Sequence, residues 1–412
     1  MKNSLIPASV FCVLLGACAT IPAAAPPAAS SAAPQPQRPE TEEEAHMWSD
    51  VEKKTVSLSF LTLCGCWERD PARVSASIKD LLGRLNPEED IVWGPAMHFP
   101  ELIKGQKIVP ENALSPLSDA LVLITKDRNT GIYSIIFRGT NTISAAEWVF
   151  QDFMVQKQIP WNEIVPTEAP AAAMISEGTA TAIRLRLPMS PLKGEKGAGI
   201  SFEDELISLA SGSREDGSPR VLRFTGHSLG GLLAPAMALW LQDEMRTRGG
   251  STAQFEVYAY AGPTAGNRAF ADYLSSHVQH FMRYASSLDI APRVWEKDTL
   301  EPAPELYQPE IKMLPVTRSL YAIALRVASE KGYAQPGPAI EVPSTIVPVK
   351  GRLFLLEAAY QHMMPYLNML GHDARDEIIA AVMVPIAEKI QLKDLDSKDL
   401  LDLFGIAGSP GR

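Results

Sequence analysis

Cysteine is scarce, with four in 412 residues, too few for the disulfide framework that holds small exported domains together. Two of them, Cys12 and Cys18, fall in the first eighteen residues, leaving Cys64 and Cys66 in Leu63-Cys-Gly-Cys-Trp67. A single intervening residue would strain a mutual disulfide and no third thiol remains, so two buried thiols are expected. Positive charge is also in short supply. A net charge of −10 leaves no basic surface for a nucleic-acid partner and no obvious patch for anionic lipid. Histidine is sparse as well: the one metal-like spacing, His277-x-x-His280, has no further ligands nearby, so no metal is implied. No organic cofactor is implied and no internal repeat is present. What remains is an ordinary globular composition, 46% hydrophobic and 21% charged, on a chain long enough to bury a large core.

The N-terminus reads as a targeting segment. Lys2 supplies a minimal positive region, Ile6 to Leu15 an apolar run too short to span a bilayer, and Leu15-Gly16-Ala17-Cys18 a cleavage region. Small residues before a cysteine resemble the lipobox of bacterial lipoproteins. That resemblance implies removal of residues 1–17, lipidation of Cys18 and anchoring to a membrane surface. Ala19, where an aspartate would signal inner-membrane retention, favours the bacterial outer membrane. An ordinary secretory signal cut nearby would instead give a periplasmic or secreted protein; both alternatives export the chain. Residues 18–39, rich in Ala, Pro, Ser and Gln, form a semi-extended tether. Residues 40–119 are expected to be a helical extension, with Val74, Ile78, Leu81, Leu82 and Leu85 on one stripe. Between Ile91 and Val109 only loop and short strands are read.

The chain is organised around Val221 to Leu241. An apolar run, Val221 to Thr225, predicts a buried strand, and the Ala/Leu/Met-rich segment after the glycines predicts a helix. Between them lies Gly226-His227-Ser228-Leu229-Gly230, a G-x-S-x-G in the strand-turn-helix setting of a nucleophile elbow. Glycines are required because Cβ atoms on either side of so tight a turn would collide. Ser228 is thereby presented at the carboxyl end of its strand, and the amide of Leu229 is free at a helix N-terminus to donate to an oxyanion. Pro235 falls inside this helix and is expected to kink or delay it.

Upstream, Ala120 to Lys126 and Gly131 to Arg138 read as neighbouring strands, the second ending Phe137-Arg138-Gly139-Thr140. This F-R-G-T, a following Glu147-Trp148 and Asp152-Phe153, and the later G-H-S-L-G-G resemble the class 3, fungal-type lipase family over about Leu121 to Leu370. The resemblance implies that Thr140 is the second oxyanion donor and that Asn141 to Phe150 is a lid. Two departures stand out. Where the family has a His-x-Gly-Phe-like passage from strand to helix, this chain has Ser176-Glu-Gly-Thr179, and residues 157–200 and 296–350 look like insertions. Ser201 reads as the N-cap of a helix to Leu209, Gln254 to Tyr260 as a strand, Arg268 to His277 as a helix and Gln279 to Ala285 as a strand. Tyr321 to Val327 is helix or strand, and Thr345 to Val349 a strand. Ala374 to Lys389 and Leu392 to Phe404 read as helices.

A serine hydroxyl is a weak nucleophile at neutral pH and needs a base that is itself oriented, in the chain order Ser, acid, His. Asp289 follows a strand, and Asp-Ile-Ala-Pro-Arg293 resembles the family's D-I-V-P. His362, in Gln361-His-Met-Met-Pro-Tyr366, resembles the late D-H-x-x-Y, with His372 as its competitor. The expectation is therefore an α/β-hydrolase fold at 120–412, a mostly parallel sheet flanked by helices. The proposed triad is Ser228, His362 and Asp289, cleaving carboxylic or acylglycerol esters. A phospholipase A or acyltransferase on the same triad, or a non-catalytic surface lipoprotein, are the alternatives.

Overall fold

A computed structural model describes residues 47–68, 70–99, 120–139, 155–346 and 354–383. Cys18, the expected tether, Thr140, the expected lid at 141–150 and the helix expected over Leu392 to Phe404 lie outside the described residues. The stretch expected to be mainly helical is two helices, α1 (Asp50–Leu61) and α2 (Pro71–Leu85). Local capping divides them. Ser49 closes α1 in a capping box with Glu52, and Asp70 accepts from the Ala72 amide just ahead of Pro71.

The next segment departs from expectation. It is a ten-residue strand, β1 (Glu89–His98), antiparallel to β2 (Ala120–Asp127). Its period-two pattern is hidden by register shifts between Ile91 and Trp93 and between Trp93 and Ala96, where one strand gains residues on its partner and side chains change face. Asp127 closes the turn to β3 (Tyr133–Phe137), its Oδ1 accepting from the amides of Asn129 and Thr130.

There follow β4 (Gln158–Pro160), β5 (Met174–Ser176), α3 (Glu177–Arg186), α4 (Phe202–Ser211), β6 (Val221–His227), α5 (Leu229–Thr247), β7 (Gln254–Tyr260), β8 (Gly266–Asn267), α6 (Arg268–His277) and β9 (His280–Ala285). The chain continues through α7 (Pro315–Lys331), β10 (Tyr333–Ala334), β11 (Ile340–Glu341), α8 (Phe354–Leu367) and α9 (His372–Ile378). Tyr321 to Val327 thus lies in a helix. Thr345 and Ile346 are not strand; the edge position is taken by β11, parallel to β9 through Ile340 and Tyr284. The helix expected at Ala374 begins at His372 and passes after Ile378 into a π-turn over Ile379–Met383. α5 runs through Pro235 without a break in its assignment.

Among the described residues the main sheet has the order β1-β2-β3-β6-β7-β9-β11. Its first two pairings are antiparallel and the other four parallel. β2 shows how both faces are covered. Val122 and Ile124 enter the core shared with α5, while Leu121 and Leu123 enter the core shared with α1, α2 and α8. This is an α/β-hydrolase fold: a mostly parallel sheet with helices on both faces. None of the described helices is long and apolar enough to cross a membrane.

The elbow depends on two close approaches. A Cβ on Gly226 would lie 2.5 Å from the carbonyl carbon and oxygen of Gly230, and one on Gly230 would lie 2.3 Å from the carbonyl oxygen of Phe137 in β3. Backbone cannot yield as a flexible side chain can. Gly230→Ala should therefore push α5 off β3 and lower the unfolding free energy by about 3 kcal/mol or more, read as a fall in the urea midpoint at unchanged slope.

Candidate active site

Three segments bring the candidate residues to the carboxyl edge of the sheet. The first is the turn from β6 to α5, where Ser228 has φ 60° and ψ −124°. Among the described non-glycine residues only Ser228 and Ala261, at φ 53°, have positive φ, the strained geometry that lifts a nucleophile clear of its strand. The Ser228 amide donates to the Tyr260 carbonyl at 2.9 Å and that of Ala261 to the Tyr284 carbonyl at 3.0 Å, so neighbouring strands hold the strain in place. Leu229 opens α5, and its amide is one of the four that no carbonyl within the helix can satisfy.

The second segment follows β9. Asp289 is buried, its amide donating to Ser286 O, and its Oδ1 accepts from the Ala291 amide at 2.9 Å. The third is α8, which carries His362 with its side chain 21% exposed. His362 Nδ1 lies 3.0 Å from Asp289 Oδ2 and 3.1 Å from Oδ1. A carboxylate can only accept, so Nδ1 carries the proton and Nε2 has the lone pair needed to take another. Ser228 Oγ has no hydrogen-bond partner among the described residues; in unliganded sites such bonds commonly close only when substrate arrives.

Tyr366, one turn beyond His362, contributes what sequence reasoning did not find. Its hydroxyl donates to Asp289 Oδ2 at 2.8 Å and accepts from the Ser286 amide at 3.1 Å. Burial and the charge of Asp289 hold the phenol protonated well above its ordinary range. The only signal available was a tyrosine near the histidine, four residues on in a helix interrupted by Pro365.

The competitor His372 is elsewhere: Nδ1 pairs with Asp376 at 3.1 Å and Nε2 meets Arg375 at 3.2 Å, on the same helix. His277 turns its Nδ1 to the carbonyl of Tyr273 and the hydroxyl of Ser276. Cys64 and Cys66 are buried thiols outside any disulfide, as expected, and burial pushes the Cys64 thiol up to about 11. Glu88, Glu89 and Asp127 converge, but the Lys54 ammonium bridges all three. Gly139, just before Thr140, is wedged against the elbow: a Cβ there would fall 2.6 Å from His227 O and 3.2 Å from Ser228 Cβ.

His227 is fully enclosed, and burial first, then the neighbouring His362, depress its pKa well below 6.5. The unfolded chain takes up this proton below about pH 6.5 and the folded chain does not. The stability linked to it is therefore present above that pH and lost as pH falls toward the depressed folded value. Urea midpoints should drop between pH 7.5 and 5.5, and His227→Gln should flatten that slope by about 1 kcal/mol per pH unit.

Fold and site together have the construction of an α/β-hydrolase. Residues 134–298 match the family model described as lipase (class 3). Among solved structures, the crystal structure of M37 lipase is 26% identical over 81% of this chain and 97% of its own, with a TM-score of 0.67. Lipase II from Rhizopus niveus is 15% identical over 61% of this chain and 78% of its own and superposes less closely, with a TM-score of 0.38. With the family match over residues 134–298 and the M37 likeness, the chain is a carboxylic ester hydrolase.

Proposed function

We propose that the chain hydrolyses acyl esters of lipids through Ser228, His362 and Asp289. The main support is the Asp289–His362 pair at 3.0 Å, on the edge that also bears the serine elbow. In this cycle Ser228 Oγ attacks the ester carbonyl while His362 Nε2 takes its proton. Asp289 holds the imidazole by Nδ1–H and stabilises the imidazolium. The Leu229 amide and Thr140 donate to the tetrahedral oxyanion; the absence of room for a Cβ between Gly139 and the elbow, which puts the residue before Thr140 close to Ser228, supports the second donor. The C–O bond then breaks and the alcohol leaves with the proton from His362. Water, deprotonated by the same imidazole, attacks the acyl-enzyme, and the carboxylic acid departs as Ser228 regains its hydrogen. The region Asn141 to Phe150 would be the lid over this site.

We infer further that the protein is exported and lipidated at Cys18, on the strength of Leu15-Gly-Ala-Cys18. An acylated N-terminal peptide beginning at residue 18, lost in Cys18→Ala, is the expected mass-spectrometric result.

The test of the chemistry is fluorophosphonate labelling of the full-length protein, mapped by peptide mass, beside turnover of p-nitrophenyl butyrate and palmitate. Label on Ser228 with turnover of either ester is expected, and the butyrate-to-palmitate ratio ranks esterase against lipase character. A folded protein inert to both probe and esters, with and without detergent micelles, would sink the proposal.

A further inference from the structure

The elbow and the helix bearing the base are joined by a bond that ester chemistry does not itself require. His227 Nε2 lies 2.7 Å from the main-chain carbonyl oxygen of His362. The carbonyl can only accept, so Nε2 is the protonated nitrogen and the hydrogen bond runs from the residue before the nucleophile to the backbone of the base. The ring has little freedom. It packs on Phe60 of α1 with centroids 4.6 Å apart, on Tyr366 at 5.3 Å and on the His362 ring itself at 4.6 Å.

The location explains why the bond matters. β6 is the rigid partner, in unbroken parallel register with β7 from Val221 and Gln254 to His227 and Tyr260. α8 is the weaker one, because Pro365 has no N–H for the Gln361 carbonyl and so interrupts the helical ladder beside His362. Asp289 holds the imidazole of His362 at Nδ1, which fixes one end of the side chain and leaves its backbone to be fixed by something else. His227 does that, from the residue adjoining Ser228.

We propose that His227 is a positioning residue: its Nε2–H fixes the His362 backbone to the elbow, so that His362 Nε2 meets the Ser228 hydroxyl at proton-transfer distance. This rests on the reading of Ser228 and His362 as nucleophile and base. A small displacement of a base is costly, on the order of 10²-fold for about 1 Å, so the bond should be visible in kcat.

The test compares His227→Phe, His227→Gln and His227→Asn in the full-length protein, with kcat, KM and fluorophosphonate labelling rate measured together and folding followed by circular dichroism. Phenylalanine keeps the ring and loses the donor; glutamine keeps a donor of similar reach; asparagine keeps a donor too short to arrive. Expected are a fall in kcat of about 10- to 100-fold for Phe with KM within about twofold, an equal fall in labelling rate, and recovery of most of both in Gln. If Phe does not fold, Gln against Asn decides: a fast Gln with a slow Asn supports the role. Wild-type kcat in a folded Phe or Asn variant, or a Gln variant as slow as Phe, would overturn it. Ser228→Ala runs alongside. Turnover surviving in that variant would remove the underlying reading of the triad, whereas silence there with a full-rate His227→Phe would remove the positioning role alone.

Discussion

Replacing Ser228 by alanine should leave a folded protein that takes up no fluorophosphonate and turns over p-nitrophenyl esters about 10⁴-fold more slowly, or less. The size of the loss follows from the division of labour at the elbow. The hydroxyl is the only atom removed, and it has no hydrogen-bond partner among the described residues, so little structure depends on it. Alanine meets the same backbone geometry, φ 60° and ψ −124°, with a Cβ of the same size and hence the same strain. The unfolding midpoint should therefore stay close to wild type. Any residual turnover would come from the oxyanion donors acting on water. The two readouts must agree: unchanged folding with lost labelling identifies chemistry, whereas a protein that still labels would direct peptide mapping to another serine and away from this elbow.

Much of this architecture is legible in the sequence because it is local. β7 and α6 fall where alternation and capping put them, Gln254–Tyr260 and Arg268–His277, and the elbow is legible because close backbone approach leaves glycine as the residue that fits. Helix α3 was obscured by the absent His-x-Gly-Phe pattern, yet its start is an ordinary N-cap, with Ser176 Oγ accepting from the Thr179 amide at 2.9 Å. β1 was not legible, since its register shifts carry side chains from one face to the other and erase the alternation that marks a strand. A strand is expected over Thr345 to Val349, but Thr345 and Ile346 are not strand and pairing with β9 goes to Ile340 and Glu341, a choice made by tertiary contact and not by propensity. Tyr366 and the His227 bond were invisible for a related reason. They act across 77 and 135 residues, and a chain-order rule selects a histidine without showing what holds it.

The triad acid should be nearly as costly to alter as the nucleophile, and its variants separate charge from orientation. Asp289→Asn is expected to lower kcat by about 10⁴-fold. The asparagine can present an N–H to His362 Nδ1, which would then keep its proton on Nε2 and could not accept from Ser228. Asp289 has three donors converging on it, from His362, Tyr366 and the Ala291 amide. Removing one leaves the others, so Tyr366→Phe should keep the tautomer and cost Asp289 one charge-assisted bond, a loss of about tenfold in kcat. The Ser286 amide loses its partner in the same variant, adding about 1–3 kcal/mol of destabilisation in urea. His362→Ala should match Asp289→Asn or exceed it, while His372→Ala, whose ring is tied to Asp376 and Arg375 on its own helix, should leave kcat unchanged. The ordering is the test. A His372 variant that loses turnover while His362→Ala retains it would transfer the base to α9. An Asp289→Asn protein with near wild-type kcat would mean that the 3.0 Å contact orients a histidine the reaction does not use.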